Sequence, residues 1–280
     1  MANKVIIVGC GWLGQQVAPK LAAAGLQVFG SRRSADAVQS LAKPIYGVAL
    51  PLVNAEISAE LQTLFHDAWV ICTIPPGGRT GGSTTDYLPV LKTLALLCQQ
   101  AGIKGGIHIS STGVYQGLAG EVDETAVLKQ EHPRVALLAA GEQLLRASGP
   151  WLTLRLSGLM GPGRHPGRFV QGKTLSGGAY PVNMVHSADV AKALLAIIGN
   201  WPLPSHCYNL SSPEWVTKQD FYQAACAQLG TSPPVSFTAE APDPARQVLA
   251  NALCRDTGFR YQFADARQAL EACPSREIKS

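Results

Sequence analysis

Short apolar runs alternate with amphipathic segments along the first 200 residues. The length and β-branched content of these runs predict buried strands at Val5–Val8, Leu26–Gly30, Ala68–Ile74, Gly106–Ser110 and Trp151–Leu156. Apolar residues at helical spacing predict helices at Trp12–Ala24, Leu88–Gln100, Val135–Arg146 and Ala188–Ile198. This alternation predicts an α/β fold, a Rossmann-type doubly wound parallel sheet with helices on both faces.

The amino-acid composition of the chain changes after Leu156, where a Gly- and Arg-rich stretch begins and is followed by most of the later prolines. We therefore predict a dinucleotide-binding domain over residues 1–156, to which a helix at 186–200 returns. A smaller C-terminal substrate-side lobe is expected from residues 157–185 and 201–280.

The first strand runs into a glycine turn, VIIVGCGWLG, with the spacing G-x-G-x-x-G at Gly9, Gly11 and Gly14. A turn of this kind between a buried strand and a helix is typical of dinucleotide binding, because the helix N-terminus presents free amides to phosphates. A tight turn without a ligand is the alternative. The predicted cofactor contacts here also include Trp12 and Leu13, and those at neighbouring strand ends are Thr73, Ile74, Pro75 and Ser110.

The second strand ends in Ser31, Arg32 and Arg33, and no carboxylate occurs before Asp36. A carboxylate at this point would hold the ribose 2′-hydroxyl of NAD, whereas arginines and a serine hydroxyl suit the 2′-phosphate of NADP. The sequence therefore favours NADP, with NAD less favoured. Two solvated arginines after a strand are the alternative.

Charge, hydropathy and cysteine content indicate which partners and ligands this protein is not expected to bind. A net charge of +4 without long basic runs argues against nucleic-acid binding, and no apolar stretch approaches the ~20 residues of a membrane span. The seven scattered cysteines include no C-x-x-C pair, so we expect free thiols, no metal site and a cytoplasmic protein.

Several later motifs occur in a familiar order: SSTGVY from Ser110, LRLSGLMGPGRHPGRF from Leu154, VNMVHSADVAKAL from Val182, CYNLSS from Cys207 and NALCRDTGFRYQF from Asn251. Together with the glycine turn, they resemble the extended and atypical short-chain dehydrogenases, most closely the YeeZ-like group of NAD(P)-dependent epimerase/dehydratase-like proteins. The resemblance covers essentially the whole chain. It implies substrates of the nucleotide-sugar type.

The resemblance also implies a catalytic serine, which falls at Ser111. The Tyr-x-x-x-Lys pair of the family is missing, because counting back eight and four residues from Glu142 reaches Arg134 and Leu138. Asp86 or Tyr87 stands near the expected asparagine of the family. We take Asp86 and Tyr115 as further catalytic candidates, although a helix start and a packing role explain them equally simply.

Thr112, Arg164, His165 and Arg168 are predicted to contact the substrate, since arginines in a Gly-rich loop can grip a phosphate or carboxylate. Solvated loop arginines are the alternative. Two functions stay open: an enzyme acting on a small polar molecule, or a non-catalytic NADP-binding protein that reports cofactor state. A homodimer is left open as the state of assembly.

Overall fold

A computed structural model describes residues 3–53, 57–77, 86–238 and 243–274. In these residues the strands are β1 (Lys4–Val8), β2 (Gln27–Arg32), β3 (Tyr46–Ala49), β4 (Trp69–Cys72), β5 (Gly105–Ser111), β6 (Gly120–Val122), β7 (Trp151–Leu156), β8 (Gly158–Met160), β9 (Thr174–Ser176), β10 (Met184–His186), β11 (Cys207–Leu210), β12 (Ser236–Thr238) and β13 (Arg246–Val248). The α-helices are α1 (Trp12–Ala23), α2 (Ala35–Val38), α3 (Ala59–Phe65), α4 (Tyr87–Ala101), α5 (Pro133–Ala147), α6 (Ser187–Gly199), α7 (Lys218–Leu229), α8 (Ala252–Thr257) and α9 (Ala266–Leu270). Short 3-10 helices cover Thr112–Tyr115 and Pro166–Phe169.

Seven strands form the main sheet, in the order β11-β7-β5-β4-β1-β2-β3. Strand β1 lies between β2 and β4 and pairs in parallel with both, so that Val5 is opposite Val28 on one side and Trp69 on the other. The parallel pairs β2–β3 and β4–β5 extend the sheet. Both faces of such strands are covered, which is why β4 is apolar throughout. The predicted α/β fold with a doubly wound parallel sheet is confirmed.

The observed elements differ from the predicted ones mainly at their ends. Strand β2 continues through Ser31 and Arg32, and β5 continues through Ser111. Several elements were not predicted at all, among them β3 and α3. Strand β3 is largely exposed at the edge of the sheet and lacks the apolar run of a buried strand, and α3 is a seven-residue helix.

The chain divides into two compact units that are interleaved along the sequence. The first comprises residues 1–114, 130–155 and 197–208, and its core lies around Ile6, Val70 and Leu94. The second comprises residues 115–129, 156–196 and 209–280, and its core lies around Met160 and Phe221. The division into a cofactor domain and a substrate lobe stays a prediction.

The helices of the described ranges are all too short or too polar to cross a lipid bilayer.

Candidate functional site

The glycine turn after β1 is fastened to the ends of both neighbouring strands. Gly9 has a φ of +78°, a region that favours glycine, and its N–H donates to Ser31 Oγ on β2 at 3.1 Å. From the other side, Thr73 Oγ1 donates to the carbonyl oxygen of Gly9 at 2.8 Å. The Cys10 N–H donates to the Ser31 carbonyl at 2.9 Å. The turn is thereby fixed where helix α1 begins.

The three glycines of the turn have different surroundings. A Cβ built on Gly9 would lie 2.9 Å from Ile74 Cγ1, and one built on Gly14 would lie 2.9 Å from Cys10 Sγ. On Gly11 the nearest atom would be the Gly9 carbonyl oxygen at 3.7 Å. Gly9 and Gly14 are therefore required by packing, whereas Gly11 lets another molecule approach the backbone. Helix geometry also leaves the first-turn amides, such as those of Leu13 and Gly14, without an acceptor inside the helix, which suits a dinucleotide pyrophosphate.

The three residues assigned to the 2′-phosphate differ in exposure. Ser31 is 2% exposed and its oxygen accepts the Gly9 N–H, while Arg33 is exposed. The Nε of Arg32 is buried and has no hydrogen-bond partner among the described residues. Burial raises the pKa of the Cys10 thiol to about 11, and the positive charge of Arg32 opposes this shift. This opposition indicates that the Arg32 guanidinium lies near the turn. Arg32 thus offers a buried donor beside the turn, which fits an anionic group.

Ser111 ends strand β5, and its Oγ accepts the Gly113 N–H at 3.0 Å. A Cβ built on Gly113 would lie 3.2 Å from Ser111 Oγ, 3.6 Å from Arg134 Nε and 3.6 Å from Leu138 Cδ1. The first turns of α5 therefore bring Arg134 and Leu138 to the turn that follows Ser111. In this part of the molecule the expected tyrosine and lysine are replaced by a guanidinium and an aliphatic side chain.

A buried ion pair joins helix α5 to strand β7. Arg155 Nη2 on β7 donates to Glu142 Oε2 on α5 at 2.7 Å, and the two side chains are only 8% and 10% exposed. Ser110 Oγ donates to Glu142 Oε1 at 2.6 Å. Sequence reasoning placed Ser110 at the cofactor and used Glu142 only as a landmark, and it missed Arg155. A lone arginine in the apolar run WLTLRL was the signal that could have found it.

A second buried polar pair joins α4 to β5. Tyr87 Oη and His108 Nε2 share a hydrogen bond of 3.2 Å, and His108 Nδ1 is buried without a partner in the described part of the chain. Burial lowers the pKa of His108 to about 4, although the Glu142 carboxylate acts in the opposite direction. Burial also raises the pKa of Tyr87, and Cys72 and Glu142 add to this effect. His108 is therefore neutral near pH 7.

The two further catalytic candidates lie in contrasting places. Asp86 is exposed just before α4, and its carbonyl accepts the Val90 N–H. Tyr115 is fully buried, and its hydroxyl donates to Asn209 Oδ1 at 2.8 Å. Its burial and its hydrogen bond to Asn209 indicate a structural role for Tyr115. The catalytic roles of both residues stay predictions.

The predicted substrate residues of the Gly- and Arg-rich loop also divide by exposure. Arg164 and Arg168 are exposed, and Arg164 Nε donates to the Leu159 carbonyl at 3.0 Å. His165 is fully buried: its Nδ1 accepts the Gly167 N–H at 3.2 Å, and its Nε2 donates to Gln228 Oε1 at 3.1 Å. Burial lowers the pKa of His165, so this ring fixes the loop as a neutral group.

Thr112 is buried in the 3-10 helix that follows β5, and its contact with substrate stays a prediction. No cluster of three or more His, Cys, Asp or Glu side chains suited to a metal ion occurs in the ranges that the structure describes.

Comparison with known proteins places the chain in a family. Residues 9–200 match the NAD(P)H-binding family model. The sequence is also 33% identical to Protein YeeZ of Escherichia coli (strain K12), with 94% of this chain and 97% of YeeZ covered. The chain belongs to this NAD(P)H-binding family. It is a homologue of YeeZ, as the motifs predicted.

Solved structures with lower identity share the fold of this NAD(P)H-binding protein. UDP-glucuronic acid 4-epimerase from Bacillus cereus in complex with NAD is 19% identical, with a TM-score of 0.73 and coverage of 96% of this chain and 97% of the epimerase. The Bordetella bronchiseptica enzyme WbmH in complex with NAD+ is 17% identical, with a TM-score of 0.76 and coverage of 98% and 97%. At these identities the likeness establishes the fold alone.

The buried ion pair leads to a prediction about stability. Glu142→Ala removes the carboxylate that neutralises the buried Arg155 guanidinium, so the free energy of unfolding should fall by about 3–5 kcal/mol. The double variant Glu142→Leu with Arg155→Leu should recover much of this loss, because no charge then stays buried. Urea denaturation measures both. Glu131→Ala, at an exposed glutamate, is the matched control, and equal stability of Glu142→Ala and this control would contradict the prediction.

The lowered pKa of His108 predicts a pH dependence of stability. The pKa of His108 in the folded protein, about 4, lies below its value in the unfolded chain. Below about pH 6.5 the unfolded chain therefore binds a proton that the folded protein does not bind. The unfolding free energy should therefore fall as the pH drops from 6.5 to 4, with roughly 3 kcal/mol coming from His108. Urea denaturation at several pH values should show this part of the slope disappear in His108→Asn. It should persist in His206→Asn, whose side chain is exposed; equal slopes in wild type and His108→Asn would refute the account.

Proposed function

We propose that this protein is an NADP(H)-dependent oxidoreductase or epimerase-like enzyme that acts on a small polar substrate, a sugar or nucleotide-sugar derivative. The observation that carries the cofactor choice is the buried Nε of Arg32 beside the glycine turn, which has no hydrogen-bond partner in the part of the chain that the structure describes. The substrate class is supported by the UDP-glucuronic acid 4-epimerase that shares the fold.

The cofactor would be held by groups of the first unit. Gly11 and the first amides of α1 would take the pyrophosphate, and Arg32 with Arg33 would take the 2′-phosphate. When bound, NADP supplies hydride transfer. Ser31 and Thr73 would hold the glycine turn in place through their hydrogen bonds to Gly9.

Ser111 is the residue on which we base the chemistry. Its Oγ accepts the Gly113 N–H, and a hydroxyl has one proton of its own to donate to a substrate oxygen. Neither neighbour on α5 can take over the proton transfer of the missing tyrosine, because Leu138 has no titratable group and a guanidinium keeps its proton near neutral pH. Proton transfer by a positioned side chain typically contributes about 10²–10⁴-fold in rate, so carbonyl reduction by this protein should be slow.

The same replacement supports a second function. A protein with a fixed cofactor turn but with Arg134 and Leu138 in place of the tyrosine and lysine can bind NADP(H) without turning over a substrate. It would then report the redox state of the cofactor to a partner. Turnover decides between the two functions.

Cofactor preference is tested by titration calorimetry with NADP+ and NAD+. NADP+ should bind about ten- to a hundredfold more tightly to the wild type, since a charge-assisted hydrogen bond contributes roughly 1.5–3 kcal/mol. Arg32→Asp should abolish or reverse this preference, because a carboxylate repels the 2′-phosphate. Arg146→Asp, at an exposed arginine of α5, should leave it unchanged. Equal affinity of the wild type for both cofactors would rule out the NADP assignment.

Catalysis is tested by NADPH oxidation with a library of sugar nucleotides and small carbonyl compounds. Turnover, if found, should drop about 10²-fold or more in Ser111→Ala and should survive in Ser40→Ala, at an exposed serine. Turnover is also measured in Asp86→Ala and Tyr115→Phe, which test the two further catalytic candidates. Arg134→Ala should keep kcat nearly unchanged, because its guanidinium gives up no proton. Full activity in Ser111→Ala, with cofactor binding intact, would show that the active site lies elsewhere; no turnover of any compound by the wild type would favour the non-catalytic function.

A further inference from the structure

Residues 180–183 of the second unit contact the backbone of two basic residues, Lys218 and Arg246. On one side, the Lys218 N–H donates to the Tyr180 carbonyl at 2.8 Å, and Pro181 pairs with Thr217 in an antiparallel bridge. On the other side, Asn183 Nδ2 donates to the Arg246 carbonyl at 2.9 Å. Lys218 at the start of α7 and Arg246 at the start of β13 therefore flank the same short segment.

A backbone carbonyl holds one end of the Arg246 guanidinium. Its Nη1 donates to the Tyr115 carbonyl at 2.7 Å. Its Nε is buried and has no hydrogen-bond partner within the described ranges. A buried donor without an acceptor costs free energy, and native proteins rarely leave one unless a ligand, water or ion satisfies it. The orphaned Nε is thus a position where an acceptor is expected to bind.

Lys218 places a second positive charge near this donor. Its ammonium lies 5.4 Å from the centroid of the Tyr180 ring, within the range of a cation–π contact. Burial lowers the pKa of Lys218, and the charge of Arg246 lowers it further, so the two cations are close enough to repel each other. Asp243 acts on both with the opposite sign. Among the described residues whose charges act on this pair, one carboxylate stands against two cations, and a bound anion would neutralise the positive charge that is left.

We propose that Arg246 and Lys218 bind an oxyanion group of the substrate, a phosphate or a carboxylate. This inference rests on the proposed function in taking the anion to be part of a substrate. The site is separate in the chain from Arg32, which belongs to the first unit. Specificity for an anionic substrate then comes from the second unit, independently of the cofactor turn.

The experiment is titration calorimetry of the cofactor-free protein with inorganic phosphate, pyrophosphate and malonate. The wild type should bind at least one of these anions, and Lys218→Gln and Arg246→Gln should each weaken that binding at least tenfold. Lys192→Gln, which removes one exposed lysine from α6 of the same unit, should change it less than twofold. Tighter binding of phosphate or pyrophosphate than of malonate assigns a phosphoryl group, and the reverse assigns a carboxylate.

A measurement of folding and one further variant keep the test decisive. Arg246→Gln also removes the contact with Tyr115, so thermal unfolding is followed in each variant, and Lys218→Gln carries the conclusion if Arg246→Gln fails to fold. Arg32→Ala should weaken NADP+ while leaving the Lys218-dependent anion binding intact, so failure of the cofactor assignment is distinguishable from failure of this site. The proposal is overturned if the wild type binds none of the three anions, or if Arg32→Ala abolishes anion binding and Lys218→Gln does not.

Discussion

The turn at Gly9 is held from both sides by side chains of the neighbouring strands. Ser31 on β2 accepts the N–H of Gly9, and Thr73 after β4 donates to its carbonyl. With both polar groups of one peptide segment satisfied in this way, the turn cannot shift without breaking a contact to the sheet. The start of α1, and with it the set of amides that suits a phosphate, is fixed by this constraint.

A second constraint fixes the end of β5. Ser110, Glu142 and Arg155 come from β5, α5 and β7 and form one buried hydrogen-bonded group. Burying two charges costs desolvation, so this pair is better understood as setting the position of α5 against the sheet than as a source of net stability. Ser111 is the next residue along the strand, and the first turns of α5 therefore meet the turn that follows it.

The parallel sheet and the glycine turn are thus retained, whereas the tyrosine and lysine that the resemblance implied are absent. Arg134 and Leu138 lie near Ser111, at the places where the family has its tyrosine and lysine. A guanidinium can bind an anion but does not give up its proton, so Arg134 cannot replace the tyrosine in proton transfer. The anion site that we propose at Arg246 and Lys218 lies in the second unit.

The sequence by itself determined the parts of the molecule that depend on local order. The apolar runs, the glycine spacing and the count back from Glu142 to Arg134 are local patterns, and they predicted the sheet, the turn and the missing pair. Only the tertiary structure decided that Arg155 pairs with Glu142 and that Tyr115 and His165 are buried. Burial and pairing depend on residues distant in the chain, and a polar residue in a short motif looks the same in sequence whether it faces solvent or the core.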